Sequence, residues 1–135
     1  FSSKREFVGW LPAHHVRTDH ATPVPTAGDW IGRWHPIAGS NSILITQPSP
    51  DGPFAVEGEA MWQGGLNSYG EPIVHVGAFS GHGRPSDDLL KISEGDDEYD
   101  CQVTLQHVAG NLVVTDNSHC GGLNVRFDDV YRKSR

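Results

Sequence analysis

The stretch YDCQVTLQHVAGNLVVTDNSHC, Tyr99–Cys120, decides how this chain folds. Tyr99, Cys101, Val103, Leu105 and His107 alternate with Asp100, Gln102, Thr104 and Gln106. That two-residue period belongs to a strand with one buried face. LVVTD, Leu112–Asp116, reads as the returning strand, and Gly110-Asn111 between them is a two-residue hairpin signal. With that turn Ala109 stands opposite Leu112. Counting outward along both strands then sets Cys101 across from Cys120, at a separation a disulfide bridges. Such a bond closes a loop of about 20 residues and contributes roughly 3 kcal/mol through chain entropy. It also implies an oxidising compartment, so the chain is expected to be periplasmic or secreted. Two other readings of the cysteines remain beside it, a reactive thiol at Cys120 next to His119 and a pair of buried free thiols. His107 shares the apolar face, opposite Val114 in this register, and reads as an interior histidine.

The same strand-and-turn rhythm runs through the rest of the chain. DWIGRWH (Asp29–His35), SILITQ (Ser42–Gln47), FAVEGEAMW (Phe54–Trp62), IVHVGAF (Ile73–Phe79), LLKIS (Leu89–Ser93) and LNVRFDDVYR (Leu123–Arg132) are separated by Gly-, Pro- and Asn-rich punctuation. No helical period stands out. Short strands at even spacing, joined by consecutive hairpins, predict an all-β fold: a small antiparallel up-and-down barrel of about eight strands with one disulfide. Its domain is expected over residues 29–135. Residues 1–28 read as an irregular N-terminal arm or linker, within which KREFVGWL (Lys4–Leu11) is the one candidate strand. The 135 residues suit one core; an apolar content of 36% with 16 Gly and 9 Pro fits many short strands and tight turns.

Charge narrows the function classes. Seventeen Asp and Glu against ten Lys and Arg give a net charge of −7, with no clustered basic face. Nucleic acid is therefore not an expected partner, because phosphate contacts need such a face. No apolar run approaches a membrane span. An acidic surface steers basic partners.

Motifs for chemistry are sparse. The chain has eight histidines, but no helical pair at zinc-enzyme spacing and no Cys-x-x-Cys. His75, His82 and His119 could meet at a metal only if separate loops drew them together. Glu57 and Glu59 share a strand face and read as solvated in preference to a catalytic pair, and EGDDE (Glu94–Glu98) lacks a calcium-loop pattern. No phosphate loop, nucleophile elbow or dinucleotide fingerprint is present, so no cofactor is expected and an enzyme is the weaker expectation. Two loops hold the better candidates for binding a partner: Ser80, His82 and Arg84 in SGHGR, and Asp116, Asn117 and His119 in DNSHCGG. In the second loop Asp116 and Asn117 also read as turn formers.

The segments GDWIGRWH (Gly28–His35), VEGEAMWQG (Val56–Gly64), HVGAFSG (His75–Gly81) and above all LVVTDNSHCGGLNVRFDDVYRKSR (Leu112–Arg135) resemble a β-domain of small periplasmic proteins of Gram-negative bacteria. Some members of that group are described as lysozyme-inhibitor-like, and many are uncharacterised. The resemblance spans residues 29–133. It implies a secreted barrel-like domain whose CGGLNVRF strand closes the sheet, anchored by the second cysteine. Together with the charge it leads to the expectation of a periplasmic or secreted protein that binds another protein, a basic lysozyme being the first candidate. The alternatives are a barrel holding a small apolar ligand among Trp30, Trp34 and Trp62, and a histidine-dependent enzyme.

Overall fold

Eight antiparallel strands curl into a nearly closed barrel in the computed structural model, which describes residues 11–16 and 23–135. The strands are β1 (Gly32–Pro36), β2 (Ser42–Thr46), β3 (Phe54–Leu66), β4 (Pro72–Gly83), β5 (Leu89–Ser93), β6 (Gln102–Val108), β7 (Asn111–Asp116) and β8 (Asp129–Lys133). Their order in the sheet is β4-β3-β2-β1-β8-β7-β6-β5. The ladder therefore closes between the first and last strands, with Trp34 opposite Lys133 and Pro36 opposite Tyr131. Its seam lies between the sequence neighbours β4 and β5, which run side by side without a ladder. Positions 81 and 83 are glycine there because a Cβ would strike the Ile92 side chain and the Lys91 carbonyl. The Ser80 amide donates instead to Glu94 Oε1 at 2.9 Å, a side chain standing in for a missing backbone partner.

Alternation fills the interior. Phe54, Val56 and Ala60 from β3 and Val103 and Leu105 from β6 point inward, joined by Trp34, Ile43, Ile45, Leu112, Val114 and Tyr131. Phe79 and Phe127 meet edge to face at 4.7 Å, against Gly58 on the neighbouring strand. The Tyr131 hydroxyl, inside this core, donates to the Phe127 carbonyl at 3.0 Å, and burial raises its pKa. Cys101 and Cys120 form the disulfide.

One short helix plugs an end of the barrel. Where a strand was expected from Asp29, Ala27–Trp30 forms a single helical turn, α1. The Thr26 amide and hydroxyl both donate to the Asp29 carboxylate at 2.7 Å and hold its pKa low. The turn drops Trp30 into the core, where Trp34 Nε1 donates to its carbonyl at 3.0 Å. Gly32, at φ +143, then redirects the chain into β1, and Lys133 Nζ donates to the Gly28 carbonyl from β8. Of the expected N-terminal arm, residues 1–10 and 17–22 lie outside the described residues, and with them nearly all of KREFVGWL. Ala13–His15 forms one 3-10 turn.

The β6–β7 hairpin turns at Ala109-Gly110, one residue earlier than expected. Both residues have positive φ, 48° and 81°, as a type I′ turn requires, with glycine in the second central position that such turns favour. Val108 consequently opposes Asn111, and His107 opposes Leu112 instead of Val114. Each partner moves by two residues, an even number, so every side chain keeps its face.

His107 is half-buried beside the Trp30 and Trp34 rings, 5.5 and 6.1 Å away. Desolvation lowers its pKa; the Asp29 carboxylate acts in the opposite sense. The folded protein thus resists the proton that an unfolded histidine accepts, and stability should fall as pH drops through the unfolded value of 6.5. Thermal unfolding at about pH 7.5 and about pH 5 should show a larger loss for the parent chain than for His107→Leu, and equal losses would contradict this linkage.

Candidate functional site

The chain between β7 and β8 is a strap, residues 117–128, laid across one end of the barrel. Its expected form was a long closing strand from Leu123, but β8 begins only at Asp129. Val125 and Phe127 alternate inward as a strand would, yet the backbone is tied by side chains. The Asp116 carboxylate, fully buried, accepts the Phe127 amide at 2.5 Å and the Ser118 amide at 2.6 Å. Arg126 Nε lies 3.1 Å from the same group, and Arg126 also pairs with Asp128. Asp128 in turn accepts the Asp116 amide at 2.6 Å. Asn117 extends the hairpin past its last ladder pair: its amide donates to the Gln102 carbonyl and its Oδ1 accepts the Gln102 amide, both at 3.1 Å. Ser118 then turns back at φ 69°, which carries Cys120 to Cys101 with their Cα atoms 4.6 Å apart. The register places Ser118, not Cys120, across from Cys101, so the bridge depends on this reversal.

The strap continues over the inner face of β4. The Gly122 amide donates to the Val76 carbonyl at 3.2 Å. His75 Nδ1 lies 2.5 Å from the Leu123 carbonyl, which can only accept, so Nδ1 carries the proton. Gly77 and Gly121 meet backbone to backbone: a Cβ on Gly77 would lie 2.6 Å from the Cys120 carbonyl oxygen.

These contacts separate the six candidate binding residues. Asp116 and Asn117 spend their polar atoms inside the chain, Asn117 Nδ2 also donating to the Asp100 carbonyl at 2.7 Å. His119 is exposed with its ring 5.8 Å from that of Tyr99. Ser80 and His82 are on strand β4, not in a flexible loop, and both face outward. Arg84 turns away to the Asp51 carbonyl at 2.7 Å. His75 stacks on Trp62 with ring centroids 5.2 Å apart. Among the described residues no three His, Cys, Asp or Glu side chains converge as a metal site.

Ser80 and His82 instead join a surface that loop reading missed. On the outward face of the β3–β4 pair, Ala55 opposes His82, Glu57 opposes Ser80, Glu59 opposes Ala78, and Met61 opposes Val76. Two grooves follow this row. One, of about 600 Å³, sits over the seam between Glu57, Ser80, His82, Ser93 and Glu94. The other, of about 620 Å³, runs along Glu59, Met61, Val76 and Ala78. The sequence signal was IVHVGAF itself. A strand with one wet face should alternate polar residues outward, whereas Val74, Val76 and Ala78 are all apolar.

Substituting Asp116→Ala leaves the Phe127 and Ser118 amides without their acceptor and should destabilise the fold by about 3 kcal/mol in denaturant unfolding. Gly77→Ala presses a methyl group against rigid backbone and should cost roughly 1–3 kcal/mol by the same measurement. A neutral Gly77→Ala would mean that the strap does not seat on β4. Compared with known protein families, with curated proteins and with solved structures, the chain matches none.

Proposed function

We propose that this chain is a protein-binding module of a periplasmic or otherwise extracytoplasmic space, acting on a basic protein, and that its specific form is a lysozyme inhibitor. The observation that carries the reading is the filled interior. Trp30 and Trp34, two of the three tryptophans expected to line a ligand cavity, are 0% and 1% exposed and pack into one continuous core with Tyr131 and Phe127. Recognition on such a body belongs on the outside, as protein binding requires. The disulfide suits an oxidising compartment, and no helix among the described residues is long and apolar enough to cross a membrane. A net charge of −7 favours encounter with basic proteins, lysozymes of the animal type among them.

Peptidoglycan lysis by a panel of lysozymes tests this. The protein should inhibit at least one at about micromolar concentration, with inhibition weakening as salt rises through the Debye range. Full lytic activity of every lysozyme at a tenfold excess of the protein rejects the inhibitor reading.

A further inference from the structure

We propose that the outward face of the β3–β4 hairpin is the docking surface, and that it takes a basic protein segment presenting an apolar side chain flanked by lysine or arginine. The inference rests on the protein-binding function and names its surface and the chemistry of its partner.

The apolar part is large for a strand face in water. Met61 is 47% exposed, Val76 opposite it 68% and Val74 45%. Met61 and Val76, together with Ala78, border the 620 Å³ groove. Met61 is unbranched and adapts to the shape of what covers it. The formal charge on these two strands has one sign. Glu59 stands inside the groove, Glu57 two positions along, and Glu94 at the seam beside Ser80. Neither β3 nor β4 contains a lysine or arginine. No salt bridge reaches Glu57, Glu59 or Glu94 among the described residues.

This combination selects the occupant. Covering Met61 and Val76 also removes water from the adjacent Glu59 carboxylate, a loss repaid only if the partner supplies a cation there. A neutral apolar segment would leave that carboxylate dry and unpaired. A second copy of this chain, docked with the same face, would add its own Glu57 and Glu59 to the interface, and its β3 and β4 would supply no lysine or arginine to meet them. A segment with an apolar residue between two cations satisfies both halves: its apolar side chain covers Met61, Val76 and Ala78, and its cations reach Glu59 and the Glu57–Glu94 end.

The test is an amide NMR titration of the full ¹⁵N-labelled chain with a synthetic peptide alternating arginine and leucine, and in parallel with its glutamate-leucine counterpart. The arginine peptide should give saturable shifts centred on Glu59, Met61, Val76 and Ala78, and the glutamate peptide none. Glu59→Lys and, separately, Met61→Ser should each weaken binding about tenfold or more while the rest of the spectrum stays unchanged, which excludes misfolding. Shifts centred on the acidic loop at residues 96–100, unchanged affinity in Glu59→Lys, or no saturable shift would overturn the proposal. So would self-association of the chain that Val76→Lys abolishes, because that assigns the face to a second copy. If the shifts map as expected and no lysozyme is inhibited, only the lysozyme reading falls. If a lysozyme is inhibited while the shifts lie elsewhere, the function stands and this surface does not.

Discussion

The buried carboxylate of Asp116 is the interaction on which one whole end of the barrel depends. A carboxylate out of water must be met by donors, and the donors here are the backbone amides of Ser118 and Phe127 together with the Arg126 guanidinium. Meeting that demand forces the chain to leave β7, loop outward and return to the point where it started. Everything else at this end follows from the loop so fixed. Cys120 reaches Cys101, Val125 and Phe127 enter the core, and Gly122 lies along the otherwise unpaired edge of β4. A strand edge left bare invites pairing with other chains, and the strap covers part of this one.

With the middle of the barrel occupied by bulky side chains, the molecule has a division of labour by face. Inward positions of β3 and β4 are spent on packing and on glycines that admit Phe79, the strap and β5. Outward positions of the same strands carry the uncompensated acids and the uncovered apolar side chains. Because the two sets alternate residue by residue, a single substitution belongs to one role or the other. Core packing and surface character can therefore be altered separately along one hairpin, so a change to its outer face need not be a folding defect.

What was legible in the sequence was whatever obeys a short period. The inward sets Cys101–Val103–Leu105 and Phe54–Val56–Ala60 follow from alternation alone, and the cysteine pair was anticipated even though the turn lies one residue earlier. The even shift preserved every face, and the reversal at Ser118 restored the cysteine contact that the register had lost. Other features were hidden for identifiable reasons. A single turn such as α1 is shorter than the period that reveals a helix. Leu123–Phe127 imitates a strand because Val125 and Phe127 do alternate, while the hydrogen bonds that decide its conformation come from the distant Asp116. Gly81 and Gly83 suggested a flexible loop, since glycine marks both loose chain and close approach, and only the position of β5 tells which applies. The outward site was partly visible: three apolar residues in alternate positions of IVHVGAF conflict with a wet face. Their neighbour Glu94, however, comes from another strand and no local pattern points to it.

The seam between β4 and β5 also describes how the chain can assemble. It divides the barrel into two meanders, β1–β4 and β5–β8, each built from hairpins between consecutive strands and joined by ladder only where β1 meets β8. Hairpin contacts close short loops and form early, whereas the β1–β8 pair closes a loop spanning nearly the whole domain. Closure is thus the step with the highest entropic cost and the natural place for the folding barrier. Until it occurs, the two half-sheets are tethered at the residues between Gly83 and Leu89, with four free edges where the native barrel has two.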